Sequence, residues 1–292
     1  MRSALFVPGD DEKKMAKGLA SDADALILDL EDSVSLGRKE RARTLVAEFL
    51  LGAASSANRP RLMVRVNPLE SGLVDLDLDA IMRARPEAVM LPKSRSGASV
   101  QHLSVKLAVR EAERDLAEGS TKIVSIATES AAALFAMASY RGCSPRLEGL
   151  AWGGEDLAAD IGAEANRLAD GSWAGPYALA RNLTLLAAVA AEVAPIDTVF
   201  TNFRDLDGLR AEAIAARRDG FSAKMAIHPA QVPVINQVFT PTPEALAEAL
   251  AIIAAFAAAP EAGVVAIAGE MYDRPHLLRA HRLVARAKPR PD

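Results

Sequence analysis

The chain has 292 residues, half of them apolar, with 34 basic against 38 acidic side chains and a net charge of −4. That is material for one large α/β domain with a sizeable core, and the charge offers no broad attraction to nucleic acid or an anionic membrane, so an anionic ligand has to be caught locally. The lone Cys143 excludes an internal disulfide and a cysteine metal cluster, which points to a reducing, cytoplasmic setting.

The run before Pro8 is too short for the apolar core of a signal peptide. The apolar stretch at 249–259 stops at Pro260, short of the about 20 residues of a membrane span. A soluble protein is expected.

Short apolar runs at 4–7, 25–30, 62–66, 88–91, 122–127, 147–152, 198–201 and 223–227 are the predicted strands. Most are continuously apolar, as buried parallel strands are when helices cover one face. Between them the pattern predicts helices over 11–20, 38–51, 76–84, 99–118, 130–140, 177–193 and 209–219. A doubly wound open sheet produces the same alternation, but eight strands suit closure. The expected fold is therefore α/β, a (β/α)8 TIM barrel over residues 1–240. A C-terminal helical extension follows over 241–292, with helices at 243–259 and 275–287 around a Gly-containing turn. The turn-rich loop 171–176 is either a cover over the barrel mouth or a plain connector.

A closed barrel gathers its strand ends at one mouth, so residues distant in sequence become neighbours there. The second strand runs into Asp29, Glu31 and Asp32; Asp32 reads as a cap and Asp29 as bonded to backbone. The third ends in Arg65, whose burial calls for an anion: one of those acids, a substrate carboxylate or a developing oxyanion. The fifth and sixth end at Glu129 and, after paired glycines, Asp156. Each alone reads as a helix cap; together, on adjacent strands, they suit Mg²⁺, which takes one or two carboxylates and leaves the remaining positions to water and substrate. His228, after the eighth strand, reads first as a hydrogen-bonded structural histidine and second as a ligand contact. Lys13 and Lys17 lie one helical turn apart, either solvated or supplying positive charge for phosphates.

These residues sit in runs that together are specific: Leu5-Phe6-Val7-Pro8-Gly9-Asp10, Leu28-Asp29-Leu30-Glu31-Asp32, Val64-Arg65-Val66-Asn67-Pro68, Leu91-Pro92-Lys93, Gly153-Gly154-Glu155-Asp156-Leu157, Ala226-Ile227-His228-Pro229 and Met271-Tyr272-Asp273. In them the chain resembles, over essentially its whole length, the citrate lyase β subunit-like (HpcH/HpaI aldolase/citrate lyase) family, close to citramalyl-CoA and malyl-CoA lyases. The resemblance implies a Mg²⁺-dependent carbon–carbon lyase acting on an acyl-CoA and assembling as a homotrimer or hexamer. It places the metal on Glu129 and Asp156, substrate binding and catalysis on Arg65, and CoA or substrate contacts on Phe6, Lys13, Lys17, Ile227 and His228.

The resemblance also reverses the reading of Asp273, which its local sequence marks only as a surface aspartate. Asp273 becomes the proton shuttle, delivered by the extension to a neighbouring subunit. Glu31 is expected to orient a metal-bound water. Phe6 stands where a tyrosine is common in the family and Tyr272 where a small aliphatic is, which leaves substrate choice open. A malyl-CoA thioesterase, or a subunit dependent on partners within a citrate lyase assembly, are the alternative readings.

Overall fold

The computed structural model describes residues 1–56 and 58–287. Eight parallel strands close into a barrel in sequence order: β1 (Ser3–Pro8), β2 (Ala25–Asp29), β3 (Arg61–Arg65), β4 (Ala88–Leu91), β5 (Lys122–Ile126), β6 (Leu147–Ala151), β7 (Ala194–Asp197) and β8 (Ala223–Ala226). The helices between them are α1 (Glu12–Leu19), α2 (Lys39–Ala53), α3 (Val74–Ile81), α4 (Gly97–Glu113), α5 (Ala131–Leu134), α6 (Glu155–Ile161), α7 (Gly175–Ala190) and α8 (Leu206–Asp219), with α9 (Val232–Phe239) after β8.

Alternate strand residues fill the interior: Ala4, Ala25, Ile27, Met63, Met90, Ile126, Ile196 and Met225 form one buried cluster with Phe6 packed on it. The same period of two carries the next residues on that face to the mouth. Two places beyond Ile27 stands Asp29, and two beyond Met63 stands Arg65; the β2–β3 register pairs them directly. The acid and the base at the rim are thus neighbours because the core below them alternates correctly.

Two expectations fail locally. The seventh strand is Ala194–Asp197, not 198–201. Pro195 counts against a strand in sequence because it has no N–H, yet its carbonyl is what the barrel uses, accepting from the Ser222 N–H at 3.0 Å. The helix expected over 130–140 is only α5, followed by a 3₁₀ turn at Met137–Tyr140. The helices α6 and α9 had no counterpart in the sequence reading.

The chain divides into compact units at Asn236/Gln237. The second contains α10 (Pro243–Ala258), the hairpin β9 (Val264–Ile267) and β10 (Glu270–Asp273), and α11 (Arg274–Ala287). Ala249, Ile252 and Phe256 of α10 and Ala280 of α11 make its core, with Val265, Ile267 and Tyr272 against them. The Gly-containing turn is thus a β-hairpin, closed by Ala268 and Gly269, both at positive φ (52° and 90°), as a tight two-residue hairpin turn requires.

The run Pro229–Ala258 is long and apolar enough by composition to cross a membrane. In the fold it is broken between α9 and α10, of eight and sixteen residues. Neither reaches the about 20 residues of a span.

Candidate active site

Arg65 answers its own burial. Its Nε and one terminal nitrogen donate to the two Asp29 oxygens, both at 2.7 Å, its other terminal nitrogen lies 3.0 Å from Glu31, and its guanidinium lies over the Phe6 ring at 4.8 Å. Of the partners left open by the sequence, internal acids are the ones present. Burial pushes the Asp29 carboxyl up, but the Arg65 hydrogen bonds and charge outweigh it and hold it below the usual range. Asp29 also accepts the backbone N–H of Glu31 and Ser33, as expected.

Glu31, expected to orient a metal-bound water, has its carboxylate buried between Arg65 and the Lys93 ammonium, 2.6 Å away, and off the cavity wall, where it braces two cations. Burial raises its pKa, and the neighbouring Asp32 adds to that, against the pull of Arg65 and Lys93. Asp32 caps nothing; it is exposed and faces Lys93 at 3.3 Å. Behind this loop the buried Lys39 ammonium donates to the carbonyls of Leu30 and Glu31 at 2.7 and 2.8 Å, fixing the turn that presents the acids.

Glu129 leaves β5 into the mouth and is almost wholly buried, with one oxygen accepting the Lys93 backbone N–H. Burial pushes its pKa up to about 8; the Lys93 N–H pulls the other way, and the charges of Asp156 and Glu31 add to the rise. Asp156 sits in the first turn of α6, whose N-cap is Gly154 and not the aspartate itself. Its carboxylate is 3.5 Å from the Lys93 ammonium. The paired glycines make room for the protein's own groups: a Cβ on Gly153 would meet the Glu129 side chain at 3.0 Å, and one on Gly154 the Trp173 ring at 3.3 Å. Trp173, from the 171–176 loop, stacks edge-on against Trp152.

Lys93 is the residue the sequence reading passed over. It follows β4 in a left-handed conformation, φ 51°, which costs a non-glycine residue roughly 1–2 kcal/mol. That geometry sends its N–H to Glu129 while its ammonium reaches Glu31, Asp32 and Asp156, whose charges outweigh its own burial and raise its pKa. A charged residue two places after a fully buried strand was the available signal.

Among the described residues, Asp29, Glu31, Asp32, Glu129 and Asp156 thus face Arg65 and Lys93, with the charge of the buried Lys39 felt by the first three. A dication fits this excess of acid. Among the described residues no three His, Cys, Asp or Glu side chains converge as a full cage, so the donor set is that of a hard ion sharing its shell with water and ligand oxygens.

The mouth is a cavity of about 450 Å³ whose wall includes Phe6, Arg65, Glu129, Asp156 and Ile227. A second hollow of about 450 Å³, lined by Lys13, Lys14, Arg38 and Arg41, shares Pro8 and Ser33 with it. Asp10 and Asp11 pair with Arg38 and Lys14 there. Lys17 is exposed on α1 and lines neither hollow. His228 caps the 3₁₀ turn at Pro229–Gln231, accepting from the Ala230 N–H at 3.1 Å, and stacks on Phe203, which is the structural reading. It is not part of either wall. In the second unit Asp273 ends β10 half-exposed, its carboxylate bonded to the His276 ring, which holds it below its usual pKa.

Residues 2–229 match the family described as HpcH/HpaI aldolase/citrate lyase, and 178–289 match a C–C bond lyase family of the TIM-barrel fold. The chain belongs to the HpcH/HpaI aldolase/citrate lyase family. It is 34% identical to the citrate lyase subunit beta of Leuconostoc mesenteroides subsp. cremoris, covering 97% of this chain and 92% of that one. It is 33% identical to the mitochondrial citramalyl-CoA lyase of Rattus norvegicus, over 98% and 86%. Among solved structures, the CitE protein of Mycobacterium tuberculosis in complex with magnesium, acetoacetate and coenzyme A matches with a TM-score of 0.78 at 32% identity, covering 98% and 97%. The acid-rich mouth of this HpcH/HpaI aldolase/citrate lyase family member is therefore set on a scaffold that, in CitE, is seen with magnesium and coenzyme A.

Proposed function

We propose that the chain is a Mg²⁺-dependent carbon–carbon lyase that reversibly cleaves a 3-hydroxyacyl-CoA, such as citramalyl-CoA or malyl-CoA, into acetyl-CoA and pyruvate or glyoxylate. The observation that carries this reading is the surplus of carboxylate at the mouth, centred on Glu129 and Asp156. The adjoining hollow supports it: three of its four cations, Lys14, Arg38 and Arg41, pair with Asp11, Asp10 and Glu12, and the fourth, Lys13, makes no ion pair among the described residues and is free to meet a CoA phosphate. The citramalyl-CoA lyase and CitE matches support it independently.

Cleavage removes the proton of the 3-hydroxyl, breaks the bond between the α and β carbons, leaves that oxygen as the carbonyl of the keto acid, and returns a proton to the α carbon, now the methyl of acetyl-CoA. Glu129 and Asp156 would hold magnesium, which when bound would supply Lewis-acid polarisation of the substrate oxygens. Arg65, immobilised by Asp29 and Glu31 over Phe6, presents fixed positive charge to the cavity without having to reorganise as charge develops. Phe6 and Ile227 wall the apolar side. Asp273, kept ionised by His276, accepts the methyl proton in condensation and returns it in cleavage.

Because Asp273 belongs to the second compact unit, we place it at the mouth of a neighbouring copy in a homotrimer or hexamer. Val264, Met271 and Leu278, exposed on the hairpin and α11, support that assembly. A cytoplasmic setting is part of the proposal, supported by the free thiol of Cys143.

The test is to incubate the purified chain with citramalyl-CoA and malyl-CoA, with and without Mg²⁺, following keto acid and free thiol together. Equal keto acid and acetyl-CoA, abolished by chelator, is expected. Thiol without keto acid contradicts the lyase in favour of a thioesterase, and silence on both substrates contradicts an enzyme that works without partner subunits.

A further inference from the structure

Lys93 touches every acidic arm of the mouth except Asp29. Its backbone N–H is donated to Glu129, and its ammonium lies 2.6 Å from Glu31, 3.3 Å from Asp32 and 3.5 Å from Asp156. The contacts grade in a telling way: the buried Glu31 is held closest, the exposed Asp32 less closely, and Asp156 at the loosest ion-pair distance. The side chain is about a third exposed, so it has room to swing, whereas the backbone that grips Glu129 is fixed by the left-handed turn after β4.

We infer that Lys93 is the built-in counter-ion of the metal site, a positioning residue whose main chain aims Glu129 and whose ammonium occupies the charge position beside Asp156 until a dication displaces it toward Glu31 and Asp32. This rests on the reading of Glu129 and Asp156 as the metal carboxylates. The physical need is plain. Without Lys93, the five carboxylates would have only Arg65 and the recessed Lys39 against them, with neither beside Asp156, and would repel one another. A tethered ammonium offsets part of that repulsion and holds the acids in place, at the cost of competing with the metal for Asp156. Glu31, deep, off the cavity wall and already the ammonium's nearest partner, then has a function of its own: it is the anchor that keeps hold of the ammonium as it swings away from Asp156.

The test compares wild type, Lys93→Met and Lys93→Arg, all retaining the backbone N–H, by thermal melts with and without Mg²⁺ and by calorimetric titration with MgCl₂. Lys93→Met is expected to melt about 5 °C lower without metal, to gain more from Mg²⁺ than wild type does, and to bind it about tenfold more tightly because the competing charge is gone. Lys93→Arg stays close to wild type. An unchanged metal-free melt with unchanged affinity overturns the inference, and so does a weaker affinity in Lys93→Met, which would make Lys93 scaffold alone. Should Lys93→Met not fold, the Lys93 ε-carbon resonance of ¹³C-lysine-labelled wild type, assigned by its loss in Lys93→Arg, must move on adding Mg²⁺; a static resonance overturns displacement. Absence of magnesium binding by wild type contradicts the metal reading itself, a result separable from any effect of the Lys93 substitutions on the metal-free melt.

Discussion

Two clusters of buried charge lie in the barrel unit, and they end differently. On the flank of β7 and β8, the fully buried Lys224 bonds Asp197 at 2.6 Å and Glu212 at 2.8 Å, Arg181 holds Asp219 at 2.8 Å, and Arg167 reaches Glu212 at 2.7 Å. Trp152 donates to the remaining Asp197 oxygen. With Arg218 also on Asp219 at 3.1 Å, four cations meet three acids and every acid is answered within the chain. At the mouth, five acids meet Arg65, Lys93 and, behind the loop, Lys39, which leaves carboxylate in excess among the described residues. Buried charge by itself does not mark a site; buried charge left unbalanced beside a cavity does.

Substitutions should separate the two clusters. Glu129→Gln or Asp156→Ala is expected to abolish calorimetric Mg²⁺ binding and lower turnover about 10²–10³-fold or more while leaving the circular dichroism unchanged. Lys224→Met does the reverse. It takes from the buried Asp197 its close ion-pair partner, leaving Trp152 and the more distant Arg181, and is expected to cost about 3 kcal/mol in urea unfolding, with Mg²⁺ affinity of the folded protein unaltered. If Lys224→Met loses metal binding while still folded, the division between a structural and a functional cluster is wrong.

Arg65 belongs to both categories. Arg65→Ala removes charge facing the cavity and also the bidentate grip on Asp29: about 100-fold in turnover is expected, together with about 2 kcal/mol of stability. Wild-type stability with lost turnover would assign it to the functional cluster alone.

The smallest effect per step is in pH. Metal-free Glu129 titrates near 8, well above an ordinary carboxylate, so proton and Mg²⁺ compete for it. Affinity should rise up to about tenfold per pH unit below 8 and level off above it. The stability sign is opposite to that of a salt-bridged acid: the folded state holds the proton more tightly than the unfolded one, so metal-free stability falls as pH rises from the usual carboxylate range through about 8. Glu129→Gln should flatten both curves; a magnesium affinity that is level from pH 6 to 9 would contradict this.

Much of this was legible in sequence where a period governs it. Continuous apolar runs located seven of the eight strands, and the alternation that buries Ile27 and Met63 is what delivers Asp29 and Arg65 to one another. Glu129 and Asp156 were visible as acids closing adjacent strands. What stayed hidden depends on geometry without a period. Pro195 disguised β7; the β9–β10 hairpin turns on Ala268 and Gly269 with no Asn-Gly or Asp-Gly signal; and Lys93 acts through a left-handed backbone and contacts across the mouth to residues more than thirty positions away. His228 and Glu31 show the converse, motif residues whose side chains the structure commits to internal bonds.

The most direct measurement is a crystal of the protein soaked in manganese as a stand-in for magnesium, with anomalous scattering recorded at its edge. The account predicts one strong peak in the mouth, within bonding distance of both Glu129 and Asp156. No peak there at saturating metal, or a peak bound elsewhere with those two carboxylates still facing Lys93, would contradict it.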